Sequence, residues 1–225
     1  FTSVLSHVIK EVMWKYFITS ATLLMLMTIG KLHAQNYAQN SRSTYFEVSL
    51  GAAIPSGDFA KTNGAQAGFA KTGARVNIIN YGTQFTPYWG LCATLFGDAT
   101  PVDITAENTP MWAYAGLLVG PTATLPVGRL LRFDLKAMIG TSSTSLPVFE
   151  YGGVTTESKS ASSTIYQIGA KVRFNPTSRF GIHLNADYVS LRPTFSGQTM
   201  KISSFDISFG LAYYFGRIKQ MEISE

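Results

Sequence analysis

Near its end the chain places a large apolar residue at every second position. Phe205, Ile207, Phe209, Leu211, Tyr213 and Phe215 alternate with Ser204, Asp206, Ser208, Gly210, Ala212 and Tyr214. Successive side chains of a strand point to opposite faces, so this period of two predicts a strand with one apolar and one polar face; a helix would need a period of 3.6. The alternation recurs upstream. Phe180, Ile182, Leu184, Ala186 and Tyr188 oppose Gly181, His183, Asn185 and Asp187, while Tyr166, Ile168, Ala170, Val172 and Phe174 oppose Gln167, Gly169, Lys171 and Arg173. Leu131, Phe133, Leu135, Ala137 and Ile139 oppose Arg132, Asp134, Lys136, Met138 and Gly140. Four noisier runs precede these, over Phe46–Ile54, Ala70–Ile78, Phe85–Leu95 and Ala113–Ala123. Pro87 cannot donate to a ladder, so it belongs near a strand end or at a bulge. The total is eight strands.

The connections carry separate information. Three are short: Asn80-Tyr81-Gly82, Pro126-Val127-Gly128 and Asn175-Pro176-Thr177-Ser178. Four are long and rich in Ser, Thr, Gly and Asn, over 55–66, 98–110, 142–162 and 192–202. Long and short alternate, which is the asymmetry of outer-membrane barrels with tight periplasmic turns and longer outer loops. An all-β, eight-stranded antiparallel up-and-down transmembrane barrel is therefore predicted, with both strand termini on the periplasmic side.

Alternation alone does not say which face is outside, because a soluble calycin-like carrier has the same period with the faces reversed. Three features favour lipid outside. Aromatic residues sit at the ends of the apolar stripes, as bilayer interfaces select. The polar rows are mostly Gly, Ser, Thr and Ala with few charges, which suits a narrow lumen. Eleven residues rising about 3.3 Å each and tilted about 40° span roughly 28 Å, the thickness of the apolar layer. Charged residues make up only 14% of the chain against 46% hydrophobic, and about a quarter charged is usual for soluble domains.

Residues 1–34 read as a targeting segment. Met13 is the first candidate initiator, Lys15 gives a short basic region, Tyr16–Ile29 an apolar run, and Leu32-His33-Ala34 a cleavage point after Ala34. The apolar run is short for a spanning helix, which takes about 20 residues. Residues 35–43 are a polar lead-in and 44–216 the barrel, with 217–225 expected as a periplasmic tail. The net charge of +5 is dispersed, which argues against nucleic acid. The single cysteine, Cys92, excludes an internal disulfide and reads as packing.

With the leader ending Ala34-Gln35, the opening Gly51-Ala52-Ala53-Ile54-Pro55-Ser56-Gly57-Asp58-Phe59 and the closing Phe209-Gly210-Leu211-Ala212-Tyr213-Tyr214-Phe215, the chain resembles the small OmpA/OmpX-like outer-membrane barrels, the porin family with its outer membrane protein β-barrel domain. That resemblance implies a Gram-negative outer-membrane location, contact with outer-membrane lipids and lipopolysaccharide, and reading of the last strand by the barrel-assembly machinery.

Parity points Glu47, Arg75, Arg132, Asp134, Lys136, Lys171, Arg173, Asp187 and Asp206 inward, with His183 beside them. Buried charge must be paired or hydrated. A structural network is expected, pairing Asp134 with Lys171 or Arg173, and Glu47 with Arg75 or Arg132; a narrow polar path for small solutes is the alternative. An enzyme, such as an outer-membrane lipid-modifying barrel, would need a nucleophile or acid pair beside a histidine. After residue 34 the chain has one histidine, His183, with no serine two positions on. Asp58, Asp98, Asp103, Glu107, Glu150 and Glu157 read as solvated loop charge. No catalytic residue, cofactor or metal is expected. The role expected is structural or surface-interacting, with loops 98–110 and 142–162 as candidate sites for a surface ligand.

Overall fold

The computed structural model describes residues 44–64, 67–104, 110–127, 130–148, 150–151, 154–155 and 159–215. The leader 1–34, the polar segment 35–43 and the residues from 216 onward lie outside the described residues. Eight long strands close into one antiparallel barrel: β1 (Thr44–Pro55), β2 (Gly73–Gln84), β3 (Trp89–Pro101), β4 (Met111–Val127), β5 (Leu131–Ser145), β6 (Ser160–Phe174), β7 (Phe180–Leu191) and β8 (Ile202–Phe215). Each strand pairs with its sequence neighbours, and β8 closes on β1 in an unbroken register from Thr44↔Phe215 to Pro55↔Ser204. Closure removes every sheet edge, so the backbone groups of the wall are paired without water.

The two rows of β8 fall as their alternation dictates. Phe209 and Leu211 are 55% and 58% exposed on the outer wall, whereas Asp206 and Ser208 are 1% and 2% exposed in the interior. Val48, Leu50, Val76, Leu91, Leu117, Val119, Leu135, Ile139, Ile168, Leu184 and Ile207 extend the outer row around the barrel. A continuous apolar belt of this kind would be insoluble in water and is the surface that acyl chains cover. This excludes the calycin-like alternative, whose apolar face would turn inward. At the turn end the belt is edged by Tyr81, Phe85, Trp89, Phe174, Phe180, Tyr213 and Phe215. At the loop end the aromatic edge is confined to β6–β8, as Tyr166, Tyr188 and Phe205; β2–β5 present Ala74, Ala99, Ala113, Ala115 and Ser143 there instead.

Two predicted turns move. Asn80-Tyr81-Gly82 lies inside β2, and the first reversal is Phe85–Tyr88, which contains Pro87. Thr86 Oγ1 accepts hydrogen bonds from the Trp89 and Tyr88 amides at 2.8 and 3.3 Å and closes that turn. The shift comes from a β-bulge at Ile78, where both neighbouring ladders skip a residue. Ile78 and Ile79 both face outward, and Asn77 and Asn80 both face inward. The second turn also comes later than predicted, since β4 runs through Val127 and pairs it with Leu131. The third turn falls where predicted, between Phe174 and Phe180, and uses the same threonine device through Thr177.

At the other end the strands protrude further than the sequence pattern suggests. Residues 98–101 continue β3, 142–145 continue β5 and 160–162 begin β6. Beyond the bilayer the outer face no longer selects apolar residues, so the alternation loses its contrast. The first loop carries a one-turn 3₁₀ helix, Gly57–Ala60. The third and fourth loops carry two-residue hairpin pairs, Glu150–Tyr151 with Val154–Thr155 and Thr194–Phe195 with Gln198–Thr199.

Candidate functional site: the barrel interior

The inward rows stack into layers. At the turn end the buried rings of Tyr45 and Tyr214 lie with centroids 5.9 Å apart. Gly82 sits directly opposite Tyr45, and a Cβ there would strike the ring. The Arg173 guanidinium stands 4.7 Å above the Tyr45 ring. Its Nε and a terminal nitrogen reach the two oxygens of Asp134 at 2.6 and 2.7 Å. Asp134 also accepts from Thr124 at 2.6 Å, and Thr124 in turn accepts from the Gln84 amide at 2.7 Å. Arg132 donates to the Gln84 carbonyl oxygen at 3.1 Å.

The middle layer centres on Glu47. Lys171 Nζ lies 2.5 Å from its Oε2, Asn80 donates to the same oxygen at 2.8 Å, and His183 Nδ1 lies 3.8 Å from Oε1. Lys136 Nζ bridges both oxygens of Asp187 at 3.0 Å. Above, one guanidinium holds two carboxylates: Arg75 Nη1 donates to Asp98 at 2.8 Å and to Asp206 at 2.9 Å. Arg75 also donates to Gln167 at 3.1 Å and Asn77 at 3.0 Å, and its guanidinium rests 4.2 Å from the Phe96 ring centroid.

The nine charges expected in the lumen are all there, but the pairing differs in part. Asp134 pairs with Arg173. Although Lys171 is its register partner on β6, the Lys171 amine reaches across the lumen to Glu47. Glu47 pairs with neither Arg75 nor Arg132. Arg75 is opposite Gly51, four residues up β1 from Glu47, which at about 3.3 Å per residue puts it in a higher layer. Asp98, read from sequence as loop charge, is buried in β3 against Arg75. With it the described interior holds five carboxylates (Glu47, Asp98, Asp134, Asp187, Asp206) and five cations (Arg75, Arg132, Lys136, Lys171, Arg173). Of the other loop acids, Asp58 is hydrogen-bonded by Lys61 at 2.7 Å and Asp103 pairs with Lys71 at 2.6 Å. Glu107 and Glu157 lie outside the described residues, as does the side chain of Glu150.

The loop end holds a feature that the sequence reading missed. Phe59 of the 3₁₀ helix drops into the barrel mouth and packs edge-on against Trp112 and Tyr114, with centroids 5.7 and 6.4 Å away. Trp112 Nε1 donates to the Gly68 carbonyl at 2.9 Å. Ile165, Val189, Leu191 and Ile202 complete a fully buried apolar lid, with Phe195 of the fourth loop against it. The signal was present as apolar residues at inward parity, all at the loop ends of their strands.

The model of the outer membrane protein beta-barrel domain matches residues 21–215. No curated protein matches the chain significantly. Among solved structures the chain is similar to Ail, the attachment invasion locus protein of Yersinia pestis, at 18% identity over 78% of this chain and 100% of that one, with a TM-score of 0.49. Neisserial surface protein A matches at 13% identity over 76% and 97%, TM-score 0.49, and OprG of Pseudomonas aeruginosa at 10% over 79% and 98%, TM-score 0.46. With a family match that spans every strand of a closed barrel whose outer wall is apolar, the chain belongs to the outer membrane protein beta-barrel domain family and is an integral protein of the Gram-negative outer membrane.

Proposed function

We propose that the barrel is a closed, non-enzymatic element of the cell envelope that holds a rigid scaffold in the membrane and offers its loops to surface partners. One observation carries this reading: a lumen filled by interlocked ion pairs and capped by the Phe59–Trp112 lid. Eight strands leave an interior only wide enough for side chains, and here charge and aromatic groups fill it layer by layer. Breaking one of these pairs would leave an uncompensated buried charge. A solute path would have to break several pairs and lift the lid.

Outer-membrane lipids and lipopolysaccharide surround the belt, and the barrel-assembly machinery reads β8. Loops 102–110 and 146–159 are where a surface ligand would dock, since loops on a rigid scaffold are the usual recognition elements. His183 is enclosed next to Glu47, away from lipid and from the loops, which supports a non-enzymatic role. The test is planar-bilayer recording on protein that shows a heat-shifted folded band on gels. Folded protein without single-channel steps is expected; steady conductance would overturn the closed reading. Lipid A extracted from cells making the protein should be unmodified, and deacylation or acyl transfer would overturn the non-enzymatic reading.

A further inference from the structure

The outer face of β7 and β8 at the loop end carries four rungs in a fixed order. Ala186↔Ile207 is apolar, Tyr188↔Phe205 is an aromatic pair with centroids 5.0 Å apart, and in Ser190↔Ser203 the Ser190 hydroxyl is half-exposed while Ser203 is buried under the first loop, bonded to Ser56. The fourth rung is a pair of cations. Leu191 pairs with Ile202, and the Met200 amide donates to the Pro193 carbonyl at 3.0 Å, so Arg192 and Lys201 face one another between them. Their neighbours Leu191, Pro193, Met200 and Ile202 turn toward the lid, and both cations are exposed on the opposite side. Like charges directly across a ladder repel. Asp58 lies within the field of Lys201, and its carboxyl is held below the usual range first by the Lys61 hydrogen bond, then by the charges of Lys61 and Lys201. Lys61 has therefore already claimed that carboxylate, at 2.7 Å.

Below the aromatic rung a groove of about 390 Å³ opens on the outer wall, walled by Leu135, Ile168, Tyr188 and Phe205 over a floor at Gly169 and Ala186. From Ala186 to Arg192 is six residues, about 20 Å of strand. Reading upward, the wall offers an apolar slot, aromatic rings, the Ser190 hydroxyl and two exposed cations. An amphiphile with an acyl chain, a polar ring and a phosphate has the same order.

We propose that this face binds a phosphorylated glycolipid of the outer leaflet, with its phosphate on Arg192 and Lys201 and one acyl chain in the groove over Ala186. The inference rests on the outer-membrane reading, which puts the loop end in the outer leaflet. Cations at a bilayer surface attract anionic head groups, and the groove supplies the chain contact that a free anion would lack.

Native mass spectrometry of the refolded protein with bisphosphorylated lipid A, and with the same lipid stripped of phosphate, tests it. The Arg192→Gln/Lys201→Gln double variant should lose about thirtyfold in retention of the phosphorylated lipid, while Arg179→Gln, a cation at the turn end, should retain wild-type binding. Ala186→Phe should weaken both lipids alike. Wild-type retention by the double variant overturns the phosphate site, and wild-type retention by Ala186→Phe overturns the groove. Displacement of lipid A by equimolar inorganic phosphate would overturn the lipid as the occupant. Every variant should keep the heat-shifted gel band; loss of that band from the wild-type protein would be a failure of the barrel itself.

Discussion

Glu47 shows how much one interior side chain controls. It is fully buried, and Lys171, Asn80 and His183 all converge on its carboxylate. Glu47→Ala removes the counter-charge of a buried lysine, and stranding a buried charge costs about 3–5 kcal/mol. The midpoint of thermal unfolding, read from the heat-shifted band, should fall; an unchanged midpoint would contradict the pairing. Replacing Glu47 and Lys171 together with Gln and Met should recover part of the loss, because no unpaired charge remains. Gly82→Val tests packing on the same floor. The new side chain collides with the Tyr45 ring, so this variant should be destabilised or fail to refold, while Gly97→Ala, where a Cβ has 3.7 Å to its nearest neighbour, should refold normally.

Among the elements, the first loop has the clearest separable task. Phe59 is the only one of its four 3₁₀ residues to be buried, and it seals the mouth against Trp112. Phe59→Ala should cost about 3–5 kcal/mol if the cavity stays open, and should shift Trp112 emission to the red as water enters; unchanged emission would show that the lid does not depend on Phe59. The strands themselves were largely legible. β5–β8 have an unbroken alternation, so their faces could be read directly from positions such as Phe209 and Asp206. β2 could not be read that way, because the Ile78 bulge adds a residue and reverses the parity from Ile79 onward. Asp98 was hidden for a related reason: it lies in the part of β3 beyond the apolar belt, where strand and loop have the same composition. The identity of the charged set was legible because a charge at inward parity has only the lumen to occupy. The partners were not, since Glu47 and Lys171 lie on strands separated by 124 positions and depend on the stagger of closure. Ile165 and Ile202 fall outside the alternating rows read from sequence, and the lid gives them a common place.

At the scale of the whole molecule, the barrel inverts the usual arrangement of a soluble protein. Most of its large apolar side chains line the outside, and beneath the apolar lid its ion pairs fill the interior. The wall is kept by the backbone ladder, which closure leaves without an open edge, so the side chains are free to divide between lipid and lumen. The chain's own tryptophans allow that division to be measured. Trp89 is 55% exposed on the outer wall and Trp112 is 4% exposed inside the lid. Residues 35–225 refolded in bilayers whose acyl chains carry bromine at mid-depth would report contact by fluorescence quenching. Two single-tryptophan proteins suffice: Trp89→Phe, which keeps Trp112, and Leu211→Trp in a Trp89→Phe/Trp112→Phe background. Strong quenching of the probe at 211 with little quenching of Trp112 is the predicted result; quenching of Trp112 as strong as that of the probe at 211, or a probe at 211 untouched by bromine, would contradict the assignment of outer wall and closed interior.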